Sequence, residues 1–402
     1  MISRIEIENF YSVRLAQNLD LRVADNVPET PGRFGDVCPG SKERVPKVVA
    51  LFGPNASGKS TVLRALAFMA WFVQSSFQLP PDAPQPCESF NDKEAGQLPT
   101  RLAIHFGAPA NLIEPRLEEC SKYVYEVSFN AEFGKPKAVI SEALRQWSAK
   151  GGKPVRLFER DERGEVRYGK GFGLSGYRQV ISKVRANASL IATLAQFDHK
   201  PSLLLQRLAA SIASNIFIEK VDFAEDSIVR FYAQHPELVE ALNREIERID
   251  LGIKGMSIDS ASGGPVAKFE HEGLDRLMPM QLESHGTRQF IRIFPMLIQT
   301  LTVGGVAVID ELDLAIHPIV LPEILRWFYD PIRNPQNAQL WMSCHNASLL
   351  DDLIKEEVYF CEKDSRGRTR VYGLQDIQSV RRNDNYYQKY LGGVYGAVPQ
   401  LG

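Results

Sequence analysis

One stretch constrains the chain more than any other. Val48-Val49-Ala50-Leu51-Phe52 runs into Gly53-Pro54-Asn55-Ala56-Ser57-Gly58-Lys59-Ser60-Thr61, and Val62-Leu63-Arg64-Ala65-Leu66 follows. The five apolar residues predict a strand, and the residues from Thr61 onward predict a helix. Between them stands G-x-x-x-x-G-K-S, the spacing of a phosphate-binding loop. Glycine at 53 and 58 lets the backbone wrap tightly round an anion, because no Cβ blocks positive φ. The bared N–H groups and the helix N-terminus then face the phosphates. In that geometry Lys59 reaches the β- and γ-phosphates, and the Ser60 hydroxyl holds Mg²⁺.

Bulk properties narrow the class around this loop. The 402 residues are 44% hydrophobic and 24% charged, a globular composition with chain enough for two or more cores. A net charge of -2 supplies no global basic field for nucleic acid and leaves only local patches. The cysteines are Cys38, Cys87, Cys120, Cys344 and Cys361, an odd number without a C-x-x-C. They fit a reducing compartment with buried or idle thiols rather than a disulfide framework or a zinc site. Met1–Glu8 alternates polar and apolar residues and lacks the apolar core of a signal peptide. The longest apolar run, Ala65–Val73, is well short of the ~20 residues of a membrane helix. A soluble, cytoplasmic protein is expected.

In chain order, residues 2–8 and 14–24 predict two strands with Tyr11 and Ser12 at the turn. Residues 25–46, rich in Pro and Gly, predict a surface loop. The Pro-rich segment Leu79–Pro86 predicts a break. Thr100–Phe106, Tyr123–Phe129, Ala138–Leu144, Val155–Glu159 and Val166–Tyr168 predict a mainly antiparallel sheet, with a hairpin turn at Asp161–Gly164. Residues 178–250 predict helices, Val266–His271 predicts a strand, and α/β texture returns from 282. Heptads are not sustained, and no internal repeat occurs.

A second cluster complements the loop. Val306-Ala307-Val308-Ile309 is a continuous apolar run that predicts a buried parallel strand, and Asp310-Glu311 follows it. Acids at such a strand end lie where ligands sit in open α/β sheets. Asp310 is the expected partner of Mg²⁺, and Glu311 the base that polarises the attacking water. Earlier, Ser284-His285-Gly286 precedes the helical run Arg288–Thr300. Ser-x-Gly at a helix start offers N–H groups and a hydroxyl to an anion. Leu340–Cys344 predicts a strand ending at His345, where a γ-phosphate sensor belongs.

In this order the pieces resemble the ATP-binding-cassette class of ATPases, and more closely its soluble branch with the SMC, RecF and OLD proteins. Gly53–Ser60 matches Walker A, Ser284-His285-Gly286 the signature, and Asp310-Glu311 Walker B with its catalytic glutamate. Asp313 lies in the D-loop and His345 matches the switch histidine. The resemblance implies an α/β fold: an ABC-type P-loop ATPase head with an inserted α+β lobe and no long coiled coil. Residues 1–86 would carry the P-loop, 87–281 the inserted lobe, and 282–402 the remaining motifs and a C-terminal hairpin. ATP and Mg²⁺ are implied. Lys59, Glu311 and His345 would be catalytic. Gly53, Pro54, Asn55, Ala56, Ser57, Gly58, Lys59, Ser60, Thr61, Ser284, Gly286 and Asp313 would bind nucleotide, and Ser60 and Asp310 the metal. No Q-loop glutamine can be placed; Gln97 reads as surface.

The ending narrows the resemblance. Tyr359–Asp364, Thr369–Leu374, Arg381-Arg382 and Tyr390–Pro399, with Asp310–Asp313 and His317-Pro318, resemble the AriA and RloA type of bacterial ATPase. Such proteins serve anti-phage systems such as PARIS beside a separately encoded nuclease. This implies an ATPase sensor or scaffold that controls a Toprim- or HNH-type nuclease, or a toxin, from a neighbouring gene, with a phage protein as trigger. It also implies a homo-oligomer, at minimum a dimer, since each signature loop caps the nucleotide of a second subunit. The chain itself shows no nuclease constellation. The alternative is a DNA-repair or chromosome-maintenance ATPase of RecF/SMC type that binds DNA directly; near-neutral charge and the missing coiled coil weigh against it. A transporter-type subunit fits less well, given the long middle insertion. Arg366, Arg368, Arg370, Arg381 and Arg382 form a basic cluster that reads first as a solvated hairpin face.

Overall fold

The computed structural model describes the chain except residues 117, 133, 148–151, 218–223, 249–251, 262, 315–319 and 399–402. His317, Pro318 and Pro399 therefore lie outside the described residues. The N-terminal alternation forms β1 (Ile2–Glu8), which buries Ile2, Ile5 and Ile7. β2 (Gln17–Asp20) pairs with it antiparallel and is shorter than the expected 14–24. β3 (Phe34–Asp36) and β4 (Arg44–Pro46) make a small ribbon. The stretch 25–46 is thus more than the expected surface loop, because Phe34, Val37 and Val45 are buried. β5 (Val48–Phe52) is buried at every position, and α1 (Lys59–Ser75) follows the phosphate loop.

The middle segment forms β6 (Thr100–Pro109), β7 (Cys120–Glu132), β8 (Lys135–Trp147), β9 (Val155–Asp161) and β10 (Val166–Tyr168). They join one seven-stranded sheet in the order β10-β9-β8-β7-β6-β1-β2. β1 pairs with both β2 and β6, so strands from residues 1–86 and 87–281 share this sheet. α2 (Arg178–Ile181), α3 (Leu190–Ala195) and α4 (Lys200–Ala210) follow. Leu190, Ile191 and Leu205 close one core with Tyr125, Leu144 and the α1 residues Met69 and Phe72.

β11 (Ile212–Ser214) interrupts the run expected to be wholly helical, because it pairs parallel with a distant strand. α5 (Glu225–Gln234) and α6 (Pro236–Arg248) then pack with a small sheet of β12 (Ile253–Ala261), β13 (Gly264–His271) and β14 (Met278–Pro279). α7 (His285–Val303), β15 (Val306–Ile309), α8 (Val320–Tyr329), β16 (Gln339–Ser343), β17 (Val358–Lys363), β18 (Thr369–Gly373) and α9 (Tyr386–Leu391) complete the chain. The second large sheet runs β11-β15-β16-β5-β17-β18, parallel except for the final hairpin. It buries Val49, Leu51 and Trp341 on one face and Val48, Ala50 and Met342 on the other. The expected α/β head is present, and α7, of 19 residues, is the longest helix among the described residues. None of them is long and apolar enough to cross a membrane.

Two features outside the site bear on stability. Cys38 and Cys120 form a disulfide with their Cα atoms 5.4 Å apart, which corrects, for this pair, the expectation of buried or idle thiols. The turn after β3 lies against the start of β7, so the two cysteines meet across 82 positions of sequence. Cys87, Cys344 and Cys361 are free and buried. The second feature is Glu357, fully buried, 2.6 Å from Arg33. Burial pushes its carboxyl up to about 7, although the Arg33 guanidinium acts the other way. The folded protein therefore holds a proton here that the unfolded chain releases. This contribution is present at pH below 4.5 and is lost as pH rises through 7. A Glu357→Gln variant is expected to lose less stability, relative to wild type, at pH 8 than at pH 5. The difference should be on the order of 2 kcal/mol, measured by urea unfolding; an equal loss at both pH values would refute the assignment.

Candidate functional site

The loop between β5 and α1 folds as its glycines require. Gly53 has φ 146° and Gly58 φ 108°, with Ala56 between them at φ 60°. A Cβ on Gly53 would collide with the Cys361 carbonyl of β17, and one on Gly58 with the Thr369 side chain of β18. Both glycines are thus fixed by conformation and by close approach of the neighbouring hairpin. Lys59 points back across the loop and donates to the Gly53 carbonyl (2.8 Å) and the Pro54 carbonyl (2.9 Å). Burial lowers its pKa from the usual lysine value, opposed by Cys361, Asp310, Asp313 and Glu311. The Ser57 hydroxyl is buried beneath the loop without a hydrogen-bond partner.

The ends of β15 and β16 supply the opposite wall. The Ser60 hydroxyl donates to Asp310 Oδ1 at 3.1 Å. Ser343, the last residue of β16, donates to the same oxygen at 2.6 Å and accepts the Glu311 N–H at 2.7 Å. Asn215, just beyond β11, clasps the Asp310 backbone from the other side, accepting its N–H (2.7 Å) and donating to its carbonyl (3.1 Å). Glu311 adopts φ 53°, a left-handed conformation that costs a non-glycine residue about 1–2 kcal/mol. The surrounding bonds hold it there and set its carboxylate 3.9 Å from His345 Nε2. Asp313 accepts the backbone N–H groups of His345 (2.8 Å) and Asn346 (2.7 Å), which ties the turn after β15 to the turn after β16.

These walls bound a cleft of about 650 Å³, within the range of ligand pockets. Asn55–Thr61, Glu311 and His345 line it, with Tyr11, Ser12 and Arg64 nearby and Glu88–Asn91 and Lys363 at its rim. The sequence reading places Lys59, Ser60, Asp310, Glu311, Asp313 and His345 together, and the fold does bring them together. Ser284 and Gly286 do not line this cleft. Ser284 is the N-cap of α7, exposed, its Oγ accepting the Thr287 N–H at 3.1 Å. Gln97 is exposed and does not line the cleft; it lines a neighbouring groove that shares the Glu88–Asn91 rim. Ser343 and Asn215 escaped the sequence reading. Ser343 had a signal, sitting two residues before His345; Asn215 had none, because only pairing of β11 with β15 brings it to Asp310.

The cradle fits a polyphosphate: stacked N–H groups at a helix start, a lysine satisfied only by loop carbonyls, and a buried hydroxyl without a partner. Ser60 and Asp310 present oxygen donors suited to a hard cation. Among the described residues no cluster of three or more His, Cys, Asp or Glu could hold a metal. Mg²⁺ in nucleotide sites takes one or two protein oxygens together with substrate phosphates.

The chain is similar in structure to the SMC head domain from Thermotoga maritima (14% identity, 92% of this chain and 98% of that chain, TM-score 0.38). It is also similar to an Smc head bound to the C-winged helix domain of ScpA (9% identity, 92% and 97%, TM-score 0.46). A third similar structure is an Smc head domain with an extended coiled coil bound to the C-terminal domain of ScpA from Pyrococcus furiosus (9% identity, 92% and 96%, TM-score 0.44). No curated protein matches the sequence. Residues 48–351, from the strand before the phosphate loop past His345, match the family described as "AAA domain, putative AbiEii toxin, Type IV TA system". With more than half its length in that match, the chain belongs to this AAA-domain family.

Proposed function

We propose that the protein is an ATPase that binds ATP with Mg²⁺ in the cleft between the phosphate loop and the ends of β15 and β16, and hydrolyses it. The observation that carries this reading is the meeting of Lys59, Ser60, Asp310, Glu311 and His345 at one pocket. Mg²⁺ held by Ser60 and Asp310 would neutralise charge on the β- and γ-phosphates. Lys59 would exchange its loop carbonyls for phosphate oxygens, a stronger charge-assisted pairing. Glu311 would take the proton of the attacking water, and His345, beside it, would face the γ-phosphate.

We further propose that two copies clasp ATP, the Ser284 hydroxyl and Gly286 N–H of one reaching the γ-phosphate held by the other. Ser284 and Gly286 stand away from the cleft of their own chain, and Ser284 is exposed. Leu282 is 66% exposed and Leu314 45%, apolar side chains two residues before Ser284 and directly after Asp313. Loss of the γ-phosphate would remove the bridge, so nucleotide state would become assembly state. Ser284→Ala is expected to weaken ATP-dependent dimerisation about a hundredfold, roughly tenfold for each of the two equivalent hydrogen bonds to phosphate that the pair would lose. Light scattering across a concentration series measures it; unchanged dimerisation, or an ATP-bound monomer, would refute the clasp.

The setting proposed is bacterial anti-phage defence, with the ATPase as sensor or scaffold for a separately encoded nuclease or toxin. The C-terminal residues that resemble the AriA and RloA type support it, as does the type IV TA system in the family description. Coexpression with neighbouring genes tests it: a copurifying nuclease or toxin supports the reading, and a protein that purifies alone and protects no cell from phage refutes it. The DNA-repair reading draws less support. Within the basic cluster Arg368 pairs with Asp364, Arg370 with Glu362 and Arg382 with Glu356.

A further inference from the structure

Three hydroxyls from distant parts of the chain meet behind the phosphate loop. Ser12 sits in the turn between β1 and β2, after Tyr11 in the left-handed conformation (φ 46°). Thr61 lies in the first turn of α1, and Thr369 opens β18. Ser12 Oγ is 2.9 Å from Thr61 Oγ1 and 2.8 Å from Thr369 Oγ1. Thr369 Oγ1 lies 2.9 Å from the Ser57 carbonyl oxygen, inside the loop itself.

Each hydroxyl has one proton, and a carbonyl can only accept. Thr369 Oγ1 is the donor toward both the Ser12 hydroxyl and the Ser57 carbonyl, so its single proton is shared between the β1–β2 turn and the phosphate loop, while the Ser12–Thr61 contact can run either way. The backbone repeats the link, since the Thr369 N–H donates to the Ser12 carbonyl at 2.8 Å. Thr369 also packs so closely on Gly58 that no side chain fits there. It is buried and does not line the cleft, whereas Ser12 and Thr61 do. The turn end of the β17–β18 hairpin therefore touches the site twice, through Thr369, the cross-strand partner of Lys363, packed behind the loop, and through Lys363 and Gly367, which line the cleft.

We infer that Thr369 is a positioning residue: acting through Ser12 and the Ser57 carbonyl, it holds the phosphate loop in the shape that receives a nucleoside triphosphate. This couples the loop to the C-terminal hairpin. The inference rests on the reading of the cleft as a nucleotide site.

The test compares wild type, Thr369→Val, Thr369→Ser and Lys59→Ala in the full chain. ATP affinity is measured by calorimetry, turnover by phosphate release, and the thermal midpoint without nucleotide by circular dichroism. Valine keeps the shape of threonine and deletes the hydroxyl; serine keeps the hydroxyl. Thr369→Val is expected to raise Kd and KM for ATP about tenfold, as loss of a buried hydrogen bond would, with a much smaller change in kcat. Thr369→Ser should restore affinity. Wild-type affinity in Thr369→Val, while Lys59→Ala loses binding, would overturn the inference and leave the nucleotide site intact. Equal losses in Thr369→Val and Thr369→Ser, in step with a lowered midpoint, would overturn it as well. No binding by wild type would instead remove the nucleotide reading beneath it.

Discussion

Replacing Lys59 by alanine is expected to weaken ATP binding at least ~100-fold, because two or more charge-assisted hydrogen bonds to phosphate are lost together. The structure makes the expectation specific. The ammonium is held over the loop by the Gly53 and Pro54 carbonyls. Arg64 and Lys363 also line the cleft, but neither makes these contacts with the loop carbonyls. Removal of Lys59 also leaves the Gly53 and Pro54 carbonyls without their donor, so the thermal midpoint of the free variant is measured alongside to separate lost binding from lost stability. Titration with ATP and Mg²⁺ decides the matter: affinity within a few-fold of wild type would remove the phosphate-loop assignment.

Replacing Glu311 by glutamine is expected to lower turnover about 10²–10⁴-fold, the usual worth of a general base, while ATP still binds. Glutamine matches the shape of glutamate, so the contact between the Glu311 N–H and Ser343 and the left-handed turn should survive. ATP that is bound and not hydrolysed should then hold the protein as dimers. Phosphate release and light scattering read the two effects separately. Near wild-type hydrolysis would reject Glu311 as the base; slow hydrolysis without dimers would retain the base and reject the clasp.

Much of the site could be read from the sequence because its parts are local. The strand, loop and helix around Lys59 are contiguous, and their spacing alone fixes the anion cradle. Val306–Ile309 lies where the apolar run predicted, and its acids fall at the strand end. The five strands from Thr100 to Tyr168 were visible through alternation and turn residues. What escaped depends on pairing between distant segments. Asn215 reaches Asp310 only because three residues of a helix-rich stretch pair with β15. The small strand β12 escaped because Gly255, Asp259 and Ser260 give it a polar texture, and its apolar residues pack on α6. Strand pairing between β1 and β6 joins residues about a hundred positions apart, which no local pattern records. The Cys38–Cys120 bond is likewise a product of tertiary proximity, invisible in cysteine spacing.

The position of β5 has a consequence for how the protein is made. This strand is synthesised well before both its neighbours, β16 and β17, which lie about three hundred positions downstream. On the ribosome, Val48–Phe52 therefore lacks both of its native sheet neighbours until residues 339–363 have emerged. The parallel sheet that carries the phosphate loop can close only then.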